Sequence, residues 1–164
     1  MDTISHTLWG YGLFGFRGRP WLAALFGAMP DLVSFGVFAV TRLADGSFTL
    51  GKPPLAIIPP WVFTVYDYSH SLIIALAAVA VAYRLRREIG FAMWAWPFHI
   101  LLDFPFHARS YFPTKLFFPL SQITFDGIPW SNPWVWFPNL AGIFILFAWR
   151  AAKSRGNKQA RPDE

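Results

Sequence analysis

The chain contains no cysteine, and charged side chains are scarce. The absence of cysteine excludes disulfides and thiolate metal sites but says little about the compartment. Asp, Glu, Lys and Arg make up only 14% of the 164 residues, whereas a soluble domain carries about a quarter. Apolar residues make up 55% and aromatic residues 20%. This balance favours a membrane protein over a soluble fold with a large core.

The net charge of +5 is concentrated in a few places. Basic residues gather at 17–19, 84–87 and 150–161, which is where a membrane protein keeps its cytoplasmic charge. Their scarcity elsewhere favours the lipid bilayer as the partner and argues against nucleic-acid binding. The first residues include Asp2 and no Lys or Arg, and no small-residue cleavage site follows, so they do not resemble a signal peptide.

Five apolar stretches predict an all-α integral membrane bundle of about four spanning helices plus a short N-terminal helix. The first stretch, residues 3–16, is shorter than the roughly 20 residues needed to span and is predicted as a short or re-entrant helix. The second contains Pro30, where we expect a kink. The four predicted spanning stretches are 20–42, 69–83, 89–107 and 132–149.

Two long connections, 44–68 and 108–131, are rich in proline and aromatic residues. The four prolines of the first argue against regular helix there. Both connections could form an interfacial aromatic belt or the walls of a substrate pocket. We expect a single transmembrane domain over 1–150 and a disordered, cytoplasmic basic tail over 151–164. The basic clusters then place both connections outside.

Ionisable residues of four apolar segments fall at a similar depth in this arrangement. Counted at about 1.5 Å of rise per helical residue, they lie about 16–24 Å from the basic residue at the cytoplasmic end of their segment. This places them together in the outer half of the membrane. The residues are His6, Asp31, His70, His99 and Asp103.

The balance of charge at this depth indicates a bound cation. Asp31 and Asp103 are accompanied by no Lys or Arg inside the apolar stretches, and a buried carboxylate needs a partner or a proton. His99 and Asp103 are four residues apart, so they project from one helix face. Carboxylates and imidazoles suit a divalent ion such as zinc, manganese or iron. Interhelical hydrogen bonding, or helix capping by Asp31, would also explain such residues.

Two further residues are candidates of lower rank. His107 follows Pro105, which separates it from the His99–Asp103 face, so we place it at the rim of the metal site. Asp67 lies three residues before His70. It is a candidate ligand or general base, or an aspartate in water at the membrane interface.

The motifs "SHTLWG", "GAMPDL", "YSHSL" and "HILLD", in this order, resemble the family of predicted membrane-bound metal-dependent hydrolases, the YdjM-like or DUF457 family. The resemblance covers about residues 1–120. This family looks related to zinc-dependent phospholipase C enzymes, which also use an HxxxD helix motif. Family members often carry a basic residue and Thr before the His-Ser pair, whereas this chain has "DYSHS". The resemblance implies zinc ligands at His6, Asp31, His70, His99 and Asp103.

These observations predict a metal-dependent hydrolase embedded in a bacterial inner membrane, acting on a lipid or other amphiphilic phosphoester. Asp67 is the predicted general base. Two alternatives use the same cluster without catalysis: a relay in an ion or proton conduit, or interhelical glue in a structural or partner-binding protein. The apolar inner segment "LAAVAVAY" disfavours a conduit, because it offers no polar groups to continue the path.

Overall fold

The computed structural model describes residues 1–159, and over this range the regular structure consists of helices alone. The all-α prediction is therefore confirmed. Short 3₁₀ turns lie at Gly15–Arg17 and Leu55–Ile57. The α-helices are α1 Thr3–Phe14, α2 Pro20–Asp31, α3 Val37–Ala44, α4 Pro60–Ser69, α5 Leu72–Leu85, α6 Arg87–Met93, α7 Ala95–Asp103 and α8 Pro133–Gln159.

Within residues 1–159, two helical segments are long and apolar enough to cross a membrane. They are Pro20–Ala44, which joins α2 to α3, and Pro133–Arg155 within α8. Helices α4 and α5 qualify only as a pair, bent by 52° where they meet, which raises the number to three if the pair is one span. The predicted count of about four is not confirmed, because the stretch 89–107 divides at Trp94 into two short helices.

The exposed surface of α8 fits contact with lipid. Large apolar side chains face outward along this helix, including Phe144 at 75% exposure and Ile145 at 64%. Contiguous apolar surface of this kind is unusual on a soluble monomer and marks a membrane or protein contact. The apolar composition of the chain therefore appears on its surface as well as in its core.

Helix α2 continues through Pro30 and is followed by a π-helical segment. Residues Leu32–Gly36 form a π-helical segment that leads directly into α3. The Ser34 hydroxyl donates to the Pro30 carbonyl oxygen at 2.9 Å. The segment beyond Pro30 thus stays helical, and its altered hydrogen bonding begins directly after Asp31.

Helix α4 corrects the prediction that the connection 44–68 contains no regular helix. Pro60 is the first residue of α4. A proline is well tolerated there, because the N–H that it lacks has no partner within the helix. The last proline of the run therefore starts a helix, and only the residues before it follow the prediction of irregular backbone.

Helices α1 and α2 pack at close range through two glycines. A Cβ atom on Gly27 would lie 2.5 Å from the His6 carbonyl oxygen, and one on Gly10 would lie 2.5 Å from the Ala23 carbonyl oxygen. Such distances are far below van der Waals contact, so the two backbones can approach only without these atoms. This approach brings His6 of α1 against α2.

A buried apolar cluster supports α4 from the side of the connections. Its members come from α3, α4 and the two connections, so it joins both connections to the helices. The cluster consists of Phe38, Ile58, Val62, Tyr66 and Phe112.

The basic residues gather at the opposite end of α1 from His6. The Arg17 guanidinium lies 4.2 Å from the Phe91 ring centroid, and Arg19 pairs with Glu88 at 3.3 Å. The Arg150 guanidinium contacts the carbonyl oxygen of Gly12 in α1. One end of the bundle thus collects cations from the turn between α1 and α2 and from α8.

The predicted disordered tail, 151–164, begins inside a helix. Helix α8 continues without a break through Gln159. The remainder of the predicted tail, residues 160–164, lies outside the described residues.

Candidate metal centre

Four of the predicted ligands form one buried group. Asp31, His70, His99 and Asp103 each offer one ligand atom, and these atoms all lie within 4.8 Å of one another. Asp31 ends α2, His70 lies between α4 and α5, and the other two lie one turn apart on α7. The predicted convergence of separate segments is therefore confirmed for these four residues.

The two imidazoles of the group both direct Nε2 towards the carboxylates. His99 Nδ1–H donates to the Gly27 carbonyl oxygen at 2.7 Å, and His70 Nδ1 lies 3.1 Å from the Tyr66 carbonyl oxygen. A carbonyl oxygen only accepts, so Nδ1 carries the proton of each neutral ring and Nε2 carries a lone pair. The two Nε2 atoms lie 3.1 Å apart. Two lone pairs that face each other at this distance repel unless a metal ion or a proton lies between them.

The carboxylates complete a set of four acceptor atoms. Asp103 Oδ2 lies 3.2 Å from His99 Nε2 and 3.5 Å from His70 Nε2. Asp31 Oδ1 lies 3.7 and 3.6 Å from the same two nitrogens. Ligand atoms bound at about 2.0–2.2 Å to a tetrahedral ion lie roughly 3.3–3.6 Å apart, so this spacing suits zinc. Asp103 Oδ2 is buried and has no hydrogen-bond partner among the residues that the structure describes, and a bound cation would supply one.

His6 and His107 approach the other oxygen of Asp103. His6 Nε2 lies 2.9 Å from Asp103 Oδ1, and the His6 ring stacks on His99 with centroids 3.6 Å apart. His107 Nε2 lies 3.7 Å from the same oxygen, which the Met1 amino group also contacts. His6 and His107 thus neighbour Asp103 and are not members of the four-residue group, and their role as ligands stays a prediction.

The backbone break that carries His70 is held by the second connection. Leu72 N–H donates to the Leu116 carbonyl oxygen at 2.9 Å, and the Ser71 hydroxyl donates to the Phe118 carbonyl oxygen at 2.5 Å. These bonds satisfy polar groups that a continuous helix would have paired internally. His70 is therefore positioned by two helices and a connection together.

Asp67, the predicted general base, is not a member of the group. Its carboxylate accepts a hydrogen bond from Lys115 Nζ at 2.6 Å. Both side chains are partly exposed, at 14% and 28%, as expected for an ion pair near water. No local sequence signal predicts this pair, because its members are 48 residues apart.

Tyr66 is a supporting residue that the sequence reasoning missed. Its ring stacks on His70 with centroids 3.7 Å apart. Its hydroxyl lies 2.8 Å from His107 Nδ1 and 3.1 Å from Thr114 Oγ1. The spacing of four between Tyr66 and His70 was the available signal, since it predicts neighbours on one helix face.

A cavity of about 520 Å³ lies beside the group. Asp31 and His107 are in its wall, together with Lys52 of the first connection. This position supports the interpretation that the two connections form the walls of a pocket. Apolar wall residues include Phe35, Phe106, Phe112, Pro129 and Trp130.

Comparisons with known proteins found no family model, no curated protein and no solved structure that matches this chain. The resemblance to the YdjM-like family thus remains a prediction based on four short motifs. The chain itself shows an all-helical protein with membrane-length helices and a buried Asp/His group that could hold a metal ion.

Proposed function

We propose that the protein is a membrane-embedded, metal-dependent hydrolase of the YdjM-like family that acts on a lipid or other amphiphilic phosphoester. One observation carries the proposal: four buried acceptor atoms converge with no cationic side chain among them, beside a cavity with largely apolar walls. Ionisable groups within apolar helical segments are costly and are usually functional.

The residues that would hold the ion are Asp31, His70, His99 and Asp103, and zinc is the metal that best suits two imidazoles and two carboxylates. A bound divalent ion supplies an acidified water and polarises the scissile group. The chain's own contribution is to fix the four acceptors. Hydrogen bonds from Nδ1 to backbone carbonyl oxygens hold both imidazoles in the tautomer that binds metal.

Two residues reach both the metal centre and the cavity. Asp31 turns Oδ1 to the imidazoles, while its Oδ2 accepts a hydrogen bond from the Thr3 hydroxyl at 2.7 Å. His107 lies in the cavity wall with Nε2 towards Asp103. These positions suit proton transfer to or from a bound phosphoester. We assign that role to His107 in preference to Asp67, whose carboxylate is paired with Lys115.

The proposed orientation follows the distribution of basic residues. Arg17, Arg19 and Arg150 lie at one end of the bundle, and that end is cytoplasmic by the positive-inside rule. The Asp/His group then lies in the outer half of a bacterial inner membrane. If the α4–α5 pair and the α6–α7 pair each form a broken span, the bundle reaches the predicted four.

Elemental analysis is the first test. Protein purified without chelator should contain zinc at a stoichiometric level, and Asp103→Asn should lose it because Asp103 Oδ2 faces both Nε2 atoms. Asp67→Asn is the matched control: it also neutralises one aspartate, but outside the group, and should retain the metal. Wild-type protein without stoichiometric metal would count against the proposal.

Activity is the second test. The zinc-loaded protein should release phosphate or diacylglycerol from phospholipid in mixed micelles, lose this activity with a chelator and regain it with zinc. Full activity in metal-free protein would overturn the metal-dependent mechanism.

Interhelical glue is the second candidate function, and one contact favours it. His6 Nε2 approaches Asp103 Oδ1 at 2.9 Å and so joins α1 to α7 without any ion. In that case the purified protein would be stable and free of metal, and chelator would not change its melting temperature.

A further inference from the structure

Lys52 is a cation in the cavity wall that lacks a carboxylate partner within the part of the chain that the structure describes. Its Nζ lies 3.6 Å from the centroid of the Tyr111 ring. By contrast, Lys115 of the second connection is neutralised by Asp67. A cation held over an aromatic face keeps its charge available to a ligand.

Tyr111 fixes the position of Lys52. The Tyr111 hydroxyl donates to the Pro53 carbonyl oxygen at 2.9 Å, so it holds the residue next to Lys52 in the chain. Burial raises the pKa of this hydroxyl, and the group therefore keeps the proton that it donates at neutral pH. The first connection is thus attached to the second at the point where Lys52 enters the cavity.

The acidic residues of the cavity wall have other partners. Asp2 accepts hydrogen bonds from the Ser5 N–H at 2.8 Å and the Ser5 hydroxyl at 2.7 Å, as the N-cap of α1. Asp31 is directed to the imidazoles and to Thr3. Lys52 is the one Lys or Arg side chain among the described lining residues, so an anionic group in the cavity has a single cationic side chain to meet.

We propose that Lys52 binds the headgroup of an anionic phospholipid in this cavity, so that phosphate headgroups without an ammonium are preferred to choline headgroups. A phosphate would then lie between Lys52 and the Asp/His group, with its acyl part against the aromatic wall. A choline ammonium would meet like charge at Lys52. It would also find the Tyr111 face, the type of surface that binds such a group, already occupied. That the bound lipid is also the substrate rests on the proposed function.

Binding of two short-chain lipids that differ only in headgroup tests this inference. Dihexanoyl phosphatidylglycerol and dihexanoyl phosphatidylcholine would be titrated into the full chain in nonionic detergent, as purified and after chelator treatment, by microscale thermophoresis. Both lipids offer the same phosphodiester to Lys52, and only the choline lipid adds a positive charge beside it. We therefore expect the glycerol lipid to bind about tenfold more tightly. Inorganic phosphate is a third ligand, and binding as tight as that of the glycerol lipid would overturn the lipid assignment.

Variants assign the preference to Lys52. Lys52→Gln should remove it, while Lys52→Arg should retain it. Lys153→Gln is the matched control, because Lys153 also lies over an aromatic ring, that of Trp149 at 5.3 Å, but does not line the cavity. Equal binding of the two lipids by wild type, or a preference that survives in Lys52→Gln, would overturn the inference.

Turnover separates this inference from the proposed function. Selective binding that depends on Lys52, without hydrolysis by the zinc-loaded protein, would support the ligand class and overturn the proposed hydrolase. Hydrolysis of both lipids at equal kcat/KM by wild type and Lys52→Gln would support the hydrolase and overturn the role of Lys52.

Discussion

The two oxygens of Asp103 lie in opposite environments, although they belong to one buried carboxylate. Oδ1 is approached by His6, His107 and the Met1 amino group. Oδ2 has no hydrogen-bond partner and faces two imidazole nitrogens that carry lone pairs. The first side is stabilised by hydrogen-bond donors, whereas the second lacks a hydrogen-bond partner among the described residues and suits a cation. The difference shows that burial and residue type do not by themselves identify a metal ligand; the orientation of each acceptor decides.

His99→Ala should break the Oδ2 side with the largest effect. It removes one Nε2 acceptor and leaves Asp103 and His70 without their shared partner. We expect zinc in the purified protein to fall below detection. Activity should drop by about a thousandfold or more, because loss of the ion removes its stabilisation of the transition state. Elemental analysis and lipid hydrolysis measure this. Zinc retained at the wild-type level would show that the ion lies elsewhere.

His6→Ala should weaken the Oδ1 side and leave the ligand set complete. Residues that orient a ligand typically contribute about 10–100-fold to metal affinity, so zinc should remain but dissociate more readily. Competition with a chromophoric chelator reports the affinity. Complete loss of zinc at saturating metal would instead make His6 a ligand, as the sequence alone predicted.

Gly27→Ala should disturb both sides of the Asp103 carboxylate, because the Gly27 backbone contacts both His6 and His99. The added Cβ would lie 2.5 Å from the His6 carbonyl oxygen, so α1 must move from α2, and the Gly27 carbonyl that accepts from His99 moves with it. Overpacking of this kind costs about 1–3 kcal/mol. Thermal unfolding in detergent measures the loss. Gly36→Ala is the control, because its nearest contacts are 3.4 Å or longer, and equal melting temperatures of the two variants would contradict the close packing.

Tyr66→Phe should have the smallest effect. The ring would still stack on His70, while the hydroxyl that bonds Thr114 and His107 would be lost. One such hydrogen bond contributes about 1 kcal/mol to stability. A slightly lower melting temperature with unchanged zinc content is expected; loss of zinc would mean that the Tyr66 hydroxyl acts on Asp103 through His107, from the Oδ1 side.

Sequence reasoning reached the metal centre because depth in a membrane can be counted along each helix. It placed Asp31, His70, His99 and Asp103 at one level, and the structure joins them. It could not predict that His6 and His107 lie outside this four-residue group, because that depends on how far each helix is rotated about its axis. Residues at one depth can face the same carboxylate from different sides.

Other features depended on distant contacts or on the position of a residue within its element. The Asp67–Lys115 pair joins two connections, and residues that far apart produce no periodic pattern in the sequence. The start of α4 was missed because Pro60 was counted with the prolines before it, although a proline that ends an irregular stretch can also begin a helix. The division of 89–107 at Trp94 has its signal in Pro97, which has no N–H for the carbonyl oxygen of Met93 four residues earlier.

The hydrogen bonds from Ser71 and Leu72 to the second connection restrict how many residues that connection can contain before it reaches them. Loops usually tolerate inserted or deleted residues, but here the carbonyl groups of Leu116 and Phe118 hold the backbone beside His70. A single residue gained or lost between 107 and 116 would shift both anchors relative to α7, which carries His99 and Asp103. This connection should therefore tolerate substitution at its exposed positions yet resist any change in length.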